Sequence, residues 1–173
     1  MDSKQIQIEQ LDALIFDFDG VLTDNRVLLD QSGKEFVYCS RGDGLGFDVL
    51  RKVKKPVFIL STEENSVVTA RGKKLKVPVI QGVKNKVDAL HTLIKKEGFS
   101  LDSILYVGND LNDYHAMSLC GYSACPADSH VAIKQLAKIT LKTAGGAGIV
   151  RELLEDVLNM DFLDILYSTK EEQ

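Results

Sequence analysis

No stretch of the 173-residue chain approaches the roughly 20 consecutive apolar residues that span a bilayer, so no membrane anchor is expected. The basic excess that binding a phosphate backbone demands is also missing. Against 25 Asp and Glu stand 21 Lys and Arg, a net charge of -4, which argues against a nucleic-acid partner. It leaves room for local positive charge around a small anion. The opening MDSKQIQIEQ lacks the basic, apolar and small-residue regions of a signal peptide. Cys39, Cys120 and Cys125 are odd in number and have no CxxC spacing, so they read as reduced packing thiols rather than a disulfide framework. His91, His115 and His130 are scattered, without zinc-ligand spacing. No repeat, low-complexity tract or linker divides the chain, and only STKEEQ at 168–173 reads as a frayed tail. The expectation is one soluble, cytoplasmic domain spanning 1–173, with a core at about 11–158.

Within those bounds, short apolar runs alternate with helical spacing. ALIF (13–16), PVFIL (56–60), VPVI (77–80), ILYVG (104–108) and YSAC (122–125) have the length and side chains of buried strands. DGLGFDVLRKV, EENSVVTARGKKL, KVDALHTLIKKEG and NDYHAMSLCG have helical periodicity. In the third, Val87, Leu90 and Ile94 mark an apolar face, and Gly98 after Lys95 and Lys96 predicts the stop. This order implies an α/β fold, a mostly parallel sheet with helices on both faces. RVLLDQSGKEFVYCS departs from the alternation and predicts a β-hairpin at about 27–39 around Gln-Ser-Gly.

Ligands of such sheets bind at the carboxyl ends of the strands. That edge gathers Asp17 and Asp19 after the first strand, and Ser61 and Thr62 after the second. It also gathers Gly108, Asn109 and Asp110 after the fourth, with Asp113 a turn beyond and Lys86 opening a helix. Two carboxylates one residue apart repel and lose solvation, which a cation or a reaction must offset. With a third oxygen donor they form a hard-oxygen site suited to Mg²⁺ and phosphate oxygens. A lysine and a hydroxyl suit the rest of a phosphoryl group. One aspartate can attack phosphorus while the other moves the proton, and Gly20 lets backbone approach the phosphate.

DFDGVLTD, ILST, NK before a helix and GNDLND, in that order over residues 13–113, resemble the four motifs of the haloacid dehalogenase (HAD) phosphatase superfamily. The resemblance implies a Rossmann-like HAD fold, Asp17 as nucleophile and Asp19 as general acid/base. It implies Ser61, Lys86 and Gly20 at the phosphate, and Mg²⁺ on Asp17, Asp19 (through its backbone carbonyl) and Asn109. Asp113 would support Lys86 and the metal; Asp110 stands equally as such a support or as an exposed helix N-cap. The 41 residues between Asp19 and Ser61, and the 24 between Ser61 and Lys86, leave no room for a cap domain.

The hairpin, RGDGLG (41–46), KLKVPVIQGVKNK (74–86), PADSH (126–130) and GGAGIVREL (145–153) resemble one capless branch of that superfamily. It holds the 3-deoxy-D-manno-octulosonate (KDO) 8-phosphate phosphatases, their relatives acting on sialic-type nonulosonate 9-phosphates, and HAD-like domains associated with acylneuraminate cytidylyltransferases. The resemblance implies a homotetramer with hairpins at its centre and each C-terminal segment (about 145–173) reaching a neighbour's site. Glu63, Arg71 and Lys74 match the pattern of the nine-carbon acid phosphatases, where they would bind the sugar acid. Asn109 replaces the aspartate usual at the metal position, and its uncharged oxygen implies weaker metal binding. Ala147 stands where a basic residue is common. The leading reading is an Mg²⁺-dependent phosphatase of a phosphorylated ulosonic acid. The alternative is a weakly active or non-catalytic oligomerisation module with a cytidylyltransferase partner. A receiver-type signalling domain would carry its acceptor aspartate on a middle strand, whereas DFDG follows the first.

Overall fold

The computed structural model describes residues 6–168, so residues 1–5 of the leader reading and 169–173 of the expected tail lie outside the described residues. The strands are β1 (Ala13–Phe16), β2 (Leu28–Leu29), β3 (Glu35–Phe36), β4 (Val57–Leu60), β5 (Val79–Ile80), β6 (Ile104–Val107), β7 (Tyr122–Cys125) and β8 (Ile139–Thr140). The helices are α1 (Gly42–Lys52), α2 (Ser66–Leu75), α3 (Lys86–Glu97), α4 (Tyr114–Leu119), α5 (Val131–Leu136), α6 (Ile149–Glu152) and α7 (Phe162–Tyr167). A π-helical turn, Leu153–Val157, continues α6.

Six strands make one sheet in the order β5-β4-β1-β6-β7-β8, every neighbouring pair parallel. Both faces are covered, which is why β1 and β6 are apolar and buried at every position. The two-residue period divides β1 between two cores. Leu14 and Phe16 join Phe47 and Leu50 of α1, Val68 of α2 and Val150 of α6; Ala13 and Ile15 join Leu90 of α3, Met117 of α4 and Ile133 of α5. β1 is flanked by β4 on one side and β6 on the other, so successive crossovers leave it in opposite directions. That reversal opens a crevice at the carboxyl ends of these three strands.

Helix ends follow their local chemistry. Asn85 caps α3 by accepting from Val87 N, and Gly98 ends it at φ 74°, where the Gly98 stop was expected. Asn65 caps α2 in the same way.

The expected hairpin forms with a short ladder, Leu28 opposite Phe36 and Leu29 opposite Glu35. Its turn is held by Asp30, whose carboxylate accepts from the N–H groups of Ser32 and Lys34. The arm stands apart from the main sheet and leaves Leu28, Leu29 and Tyr38 58%, 60% and 69% exposed.

The C-terminal third departs from expectation. Strand β8 and helices α5, α6 and α7 were not predicted. Ile149, Val150, Leu153, Leu154 and Phe162 are buried in the core, where α6 packs on α1. Among residues 145–173 the apolar side chains of 149–162 pack within the chain itself.

Candidate active site

Asp17 directly follows β1, and its N–H donates to Val107 O of β6 (2.9 Å), which fixes the residue at the crevice. Its Oδ1 accepts from Phe18 N (2.7 Å) and lies 2.8 Å from Lys86 Nζ. Lys86, in the first turn of α3, also donates to Asp113 Oδ1 (2.6 Å). Asp113 Oδ1 accepts from the Tyr106 hydroxyl (3.0 Å) as well, while Asp113 Oδ2 accepts from Asn109 N (2.9 Å). All three charged side chains are at least 95% buried. Asp113 therefore holds Lys86 against Asp17 and fixes the backbone that carries Asn109.

Two buried carboxylates share one buried ammonium, so negative charge is in excess. Burial first, then the Asp113 charge, raises the Asp17 carboxyl above its ordinary value despite Lys86. Burial pulls the Lys86 ammonium down, but Asp17 and Asp113 together outweigh it and leave it raised. Asp19 is raised by partial burial and by the nearby charge of Glu63, against Lys86 and a hydrogen bond from Thr23.

The pocket over these groups has a volume of about 290 Å³ and is lined by Asp17, Asp19, Ser61, Asn109 and Asp110, with Asn25, Thr62, Leu111 and Asn112 at its rim. Asn109 Oδ1 is buried without a hydrogen-bond partner. An unpaired amide oxygen beside surplus carboxylate charge is a donor set that fits Mg²⁺. Among the described residues no three His, Cys, Asp or Glu side chains gather as a metal cluster; the additional oxygen at this site belongs to an amide. Gly20 sits at φ 77°, and a Cβ there would collide with the Asn109 side chain, so glycine is required on conformation and on space.

Ser61 follows β4 and is 1% exposed; its Oγ accepts from Glu63 N (3.1 Å), which leaves the hydroxyl proton free to point at the pocket. Asp110 caps the short turn at Leu111–Asp113 by accepting from Leu111 N (2.7 Å), which favours the N-cap alternative while it also lines the pocket. Glu63 is half-buried, its Oε1 accepting from Asn65 N (2.7 Å).

Arg71 and Lys74 are not brought to the Asp17 pocket. They line a separate groove of about 470 Å³ with Tyr38, Cys39 and Asp48, and Arg71 donates to Ser40 O (2.7 Å). α2 begins five residues after Ser61, and Arg71 and Lys74 lie in its second and third turns, on the side that faces this groove. A larger cavity of about 760 Å³ lies between residues 6–9, the end of α1 and residues 158–165, at the amino ends of the strands. Its volume does not make it the site: the buried charges converge at the other edge.

Sequence reasoning missed Tyr106 and Thr23. Tyr106 is one of an apolar strand run, and only the register that turns it toward α3 and α4 brings its hydroxyl to Asp113. Thr23 Oγ1 accepts from Gly20 N (3.1 Å) and Asn25 N (3.2 Å), tying the loop that carries Asp19.

The profile of the haloacid dehalogenase-like hydrolase family matches residues 52–153. The 3-deoxy-D-manno-octulosonate 8-phosphate phosphatase of Escherichia coli K12 is 31% identical over 151 residues, covering 87% of this chain and 80% of that one. A protein from Streptomyces avermitilis assigned to the HAD hydrolases superposes with a TM-score of 0.88 at 41% identity, over 91% of each chain. The 3-deoxy-D-manno-octulosonate 8-phosphate phosphatase of Moraxella catarrhalis, solved with magnesium, phosphate and KDO, gives 0.83 at 28% identity over 88% of each chain.

Proposed function

Because the chain belongs to the haloacid dehalogenase-like hydrolase family, we propose that it is an Mg²⁺-dependent phosphatase of a phosphorylated ulosonic acid, either KDO 8-phosphate or a sialic-type nonulosonate 9-phosphate. The observation that carries this reading is the buried Asp17–Lys86–Asp113 triad beside the unpaired oxygen of Asn109.

Asp17 Oδ1 is occupied by Phe18 N and Lys86, so Oδ2 is the oxygen that attacks phosphorus. Lys86 and the Ser61 hydroxyl hold the non-bridging oxygens. Asp19, its carboxyl raised, gives its proton to the leaving sugar oxygen as the P–O bond breaks. Asp19 then takes a proton from water, whose oxygen attacks the aspartyl-phosphate and returns Asp17 as the carboxylate. Asp17, the Asp19 carbonyl and Asn109 Oδ1 would hold Mg²⁺. Bound there, the ion neutralises charge on the phosphoryl oxygens and orients them.

The apolar, exposed hairpin side chains support a homotetramer built on that arm. Leu28→Asp together with Leu29→Asp is expected to shift the sedimenting species to smaller ones, whereas an unchanged sedimentation profile would remove the arm from the interface. Sialic-type substrates rest on Glu63 near the pocket; Arg71 and Lys74 add to that reading only if a neighbour completes their groove.

One observation favours the module associated with an acylneuraminate cytidylyltransferase: Asn109 brings no charge to the metal position. A panel of KDO 8-phosphate and nonulosonate 9-phosphates, run with Mg²⁺ on the wild type and Asn109→Asp, separates the readings. Phosphate release by the wild type supports the enzyme. Release by neither protein, with the metal shown bound, leaves the module.

A further inference from the structure

The hairpin arm is joined to the body at its base by the bridge between Thr23 and Cys39. Beyond that base, one hydrogen bond among the described residues links the arm to the rest of the chain, Asn65 Nδ2 to Glu35 Oε2 at 3.0 Å. Asn65 makes three hydrogen bonds through its side chain and N–H. Its Oδ1 caps α2 at Val67 N (3.1 Å), its Nδ2 holds the arm, and its backbone N–H donates to Glu63 Oε1 (2.7 Å). Glu63 N in turn donates to Ser61 Oγ. One residue thus stands between the arm, helix α2 and the loop that carries a phosphate-binding hydroxyl.

We infer that Asn65 is a positioning residue, which through Glu35 fixes the arm beside the Ser61 loop and through its backbone holds Glu63 for the sugar end of the substrate. The inference rests on the proposed phosphatase reading and adds to it a residue that selects large substrates over small ones. Ser61, whose Oγ accepts from Glu63 N, lines the pocket together with Asn25 at the foot of the arm, so the Glu35–Asn65–Glu63 chain of contacts ends at the pocket wall. A small ester needs only the phosphoryl contacts of Asp17, Ser61 and Lys86, whereas an eight- or nine-carbon acid is long enough to continue from Ser61 toward Glu63 and the arm. Loosening the tether therefore affects the sugar acid and spares a small ester.

The tether has a specific perturbation. Asn65→Asp keeps the helix cap, since both residues cap equally well, but sets two carboxylates against each other at Glu35. Adding Glu35→Gln restores one hydrogen bond with donor and acceptor exchanged. Glu35→Ala removes the contact from an exposed arm without touching α2.

The measurements are kcat/KM for KDO 8-phosphate or a nonulosonate 9-phosphate, kcat/KM for p-nitrophenyl phosphate, and hydrogen exchange of residues 27–38. Asn65→Asp and Glu35→Ala are expected to lower the sugar-acid value about tenfold, the scale of a charge-assisted hydrogen bond, and to speed exchange in the arm. The p-nitrophenyl phosphate value stays within about twofold, and the double variant returns both readouts toward wild type. Equal loss on both substrates, unchanged exchange, or no rescue by the double variant overturns the inference. If the wild type hydrolyses no phosphoester, the phosphatase reading fails and the selecting role with it, while exchange still judges the tether.

Discussion

Asp43 shows how a buried carboxylate far from the chemistry can be read from its surroundings. It lies in the first turn of α1 and is 1% exposed. One oxygen accepts from Val150 N at the start of α6 (2.9 Å), and the other is buried without a partner. Burial pushes its carboxyl from 3.8 up to about 6, against the hydrogen bond from Val150 N and the charge of Arg71. A folded-state value above the unfolded one means that the proton favours folding. The contribution is fully present below pH 3.8 and is lost as pH rises through about 6. About two units at about 1.36 kcal/mol each come to about 3 kcal/mol, of which about 2 kcal/mol falls between pH 4.5 and pH 7.5. Asp43→Asn keeps the acceptor for Val150 and does not titrate. Urea unfolding of both proteins at the two pH values gives the difference in stability. The variant is expected to gain on wild type by about 2 kcal/mol on going from pH 4.5 to pH 7.5. Any cost of the buried amide is the same at both and cancels. A difference that stays constant within about 0.5 kcal/mol would refute the reasoning, and one of opposite sign would mean that Asp43 is stabilised as the anion.

Two further predictions concern the site. Lys86→Met leaves Asp17 and Asp113 facing each other in the interior, so the metal-free variant should lose about 3–5 kcal/mol near pH 8, measured by urea unfolding. Unchanged stability there would mean that the triad is not charged as described. Gly20→Ala, with its Cβ driven into the Asn109 amide, should abolish phosphatase activity while the far-ultraviolet circular dichroism is retained. Full activity would show that the loop can move aside without consequence.

What could be read from the chain beforehand followed the strength of its local signals. β1, β4, β6 and β7 are short, strongly apolar runs, and their order alone places Asp17, Ser61 and Asn109 at one sheet edge. Lys86 was legible because it opens a helix whose apolar face, Val87, Leu90 and Ile94, and Gly98 stop stand out in the sequence. The C-terminal third was opaque for the opposite reason. β8 has two residues and α5 has six, too few for a period to emerge, and α6 is stabilised by packing on α1. Arg71 and Lys74 share a helix with the Ser61 loop, yet the direction of that helix takes them to another groove. Asp43 gave no local signal, since its partner Val150 lies 107 residues away. Asn65 could have been recognised as the cap before SVV, but its second contact crosses to the hairpin and depends on the fold.

The central claim is that Asp17 carries the phosphoryl group. Wild-type protein mixed with Mg²⁺ and its sugar-acid phosphate, quenched during turnover and reduced with borohydride, converts an aspartyl-phosphate to homoserine. Peptide mass spectrometry should find homoserine at position 17 in the wild type and none in Asp17→Asn, which should also release no phosphate. Turnover without any modification at position 17, or with the adduct on another residue, would contradict the account.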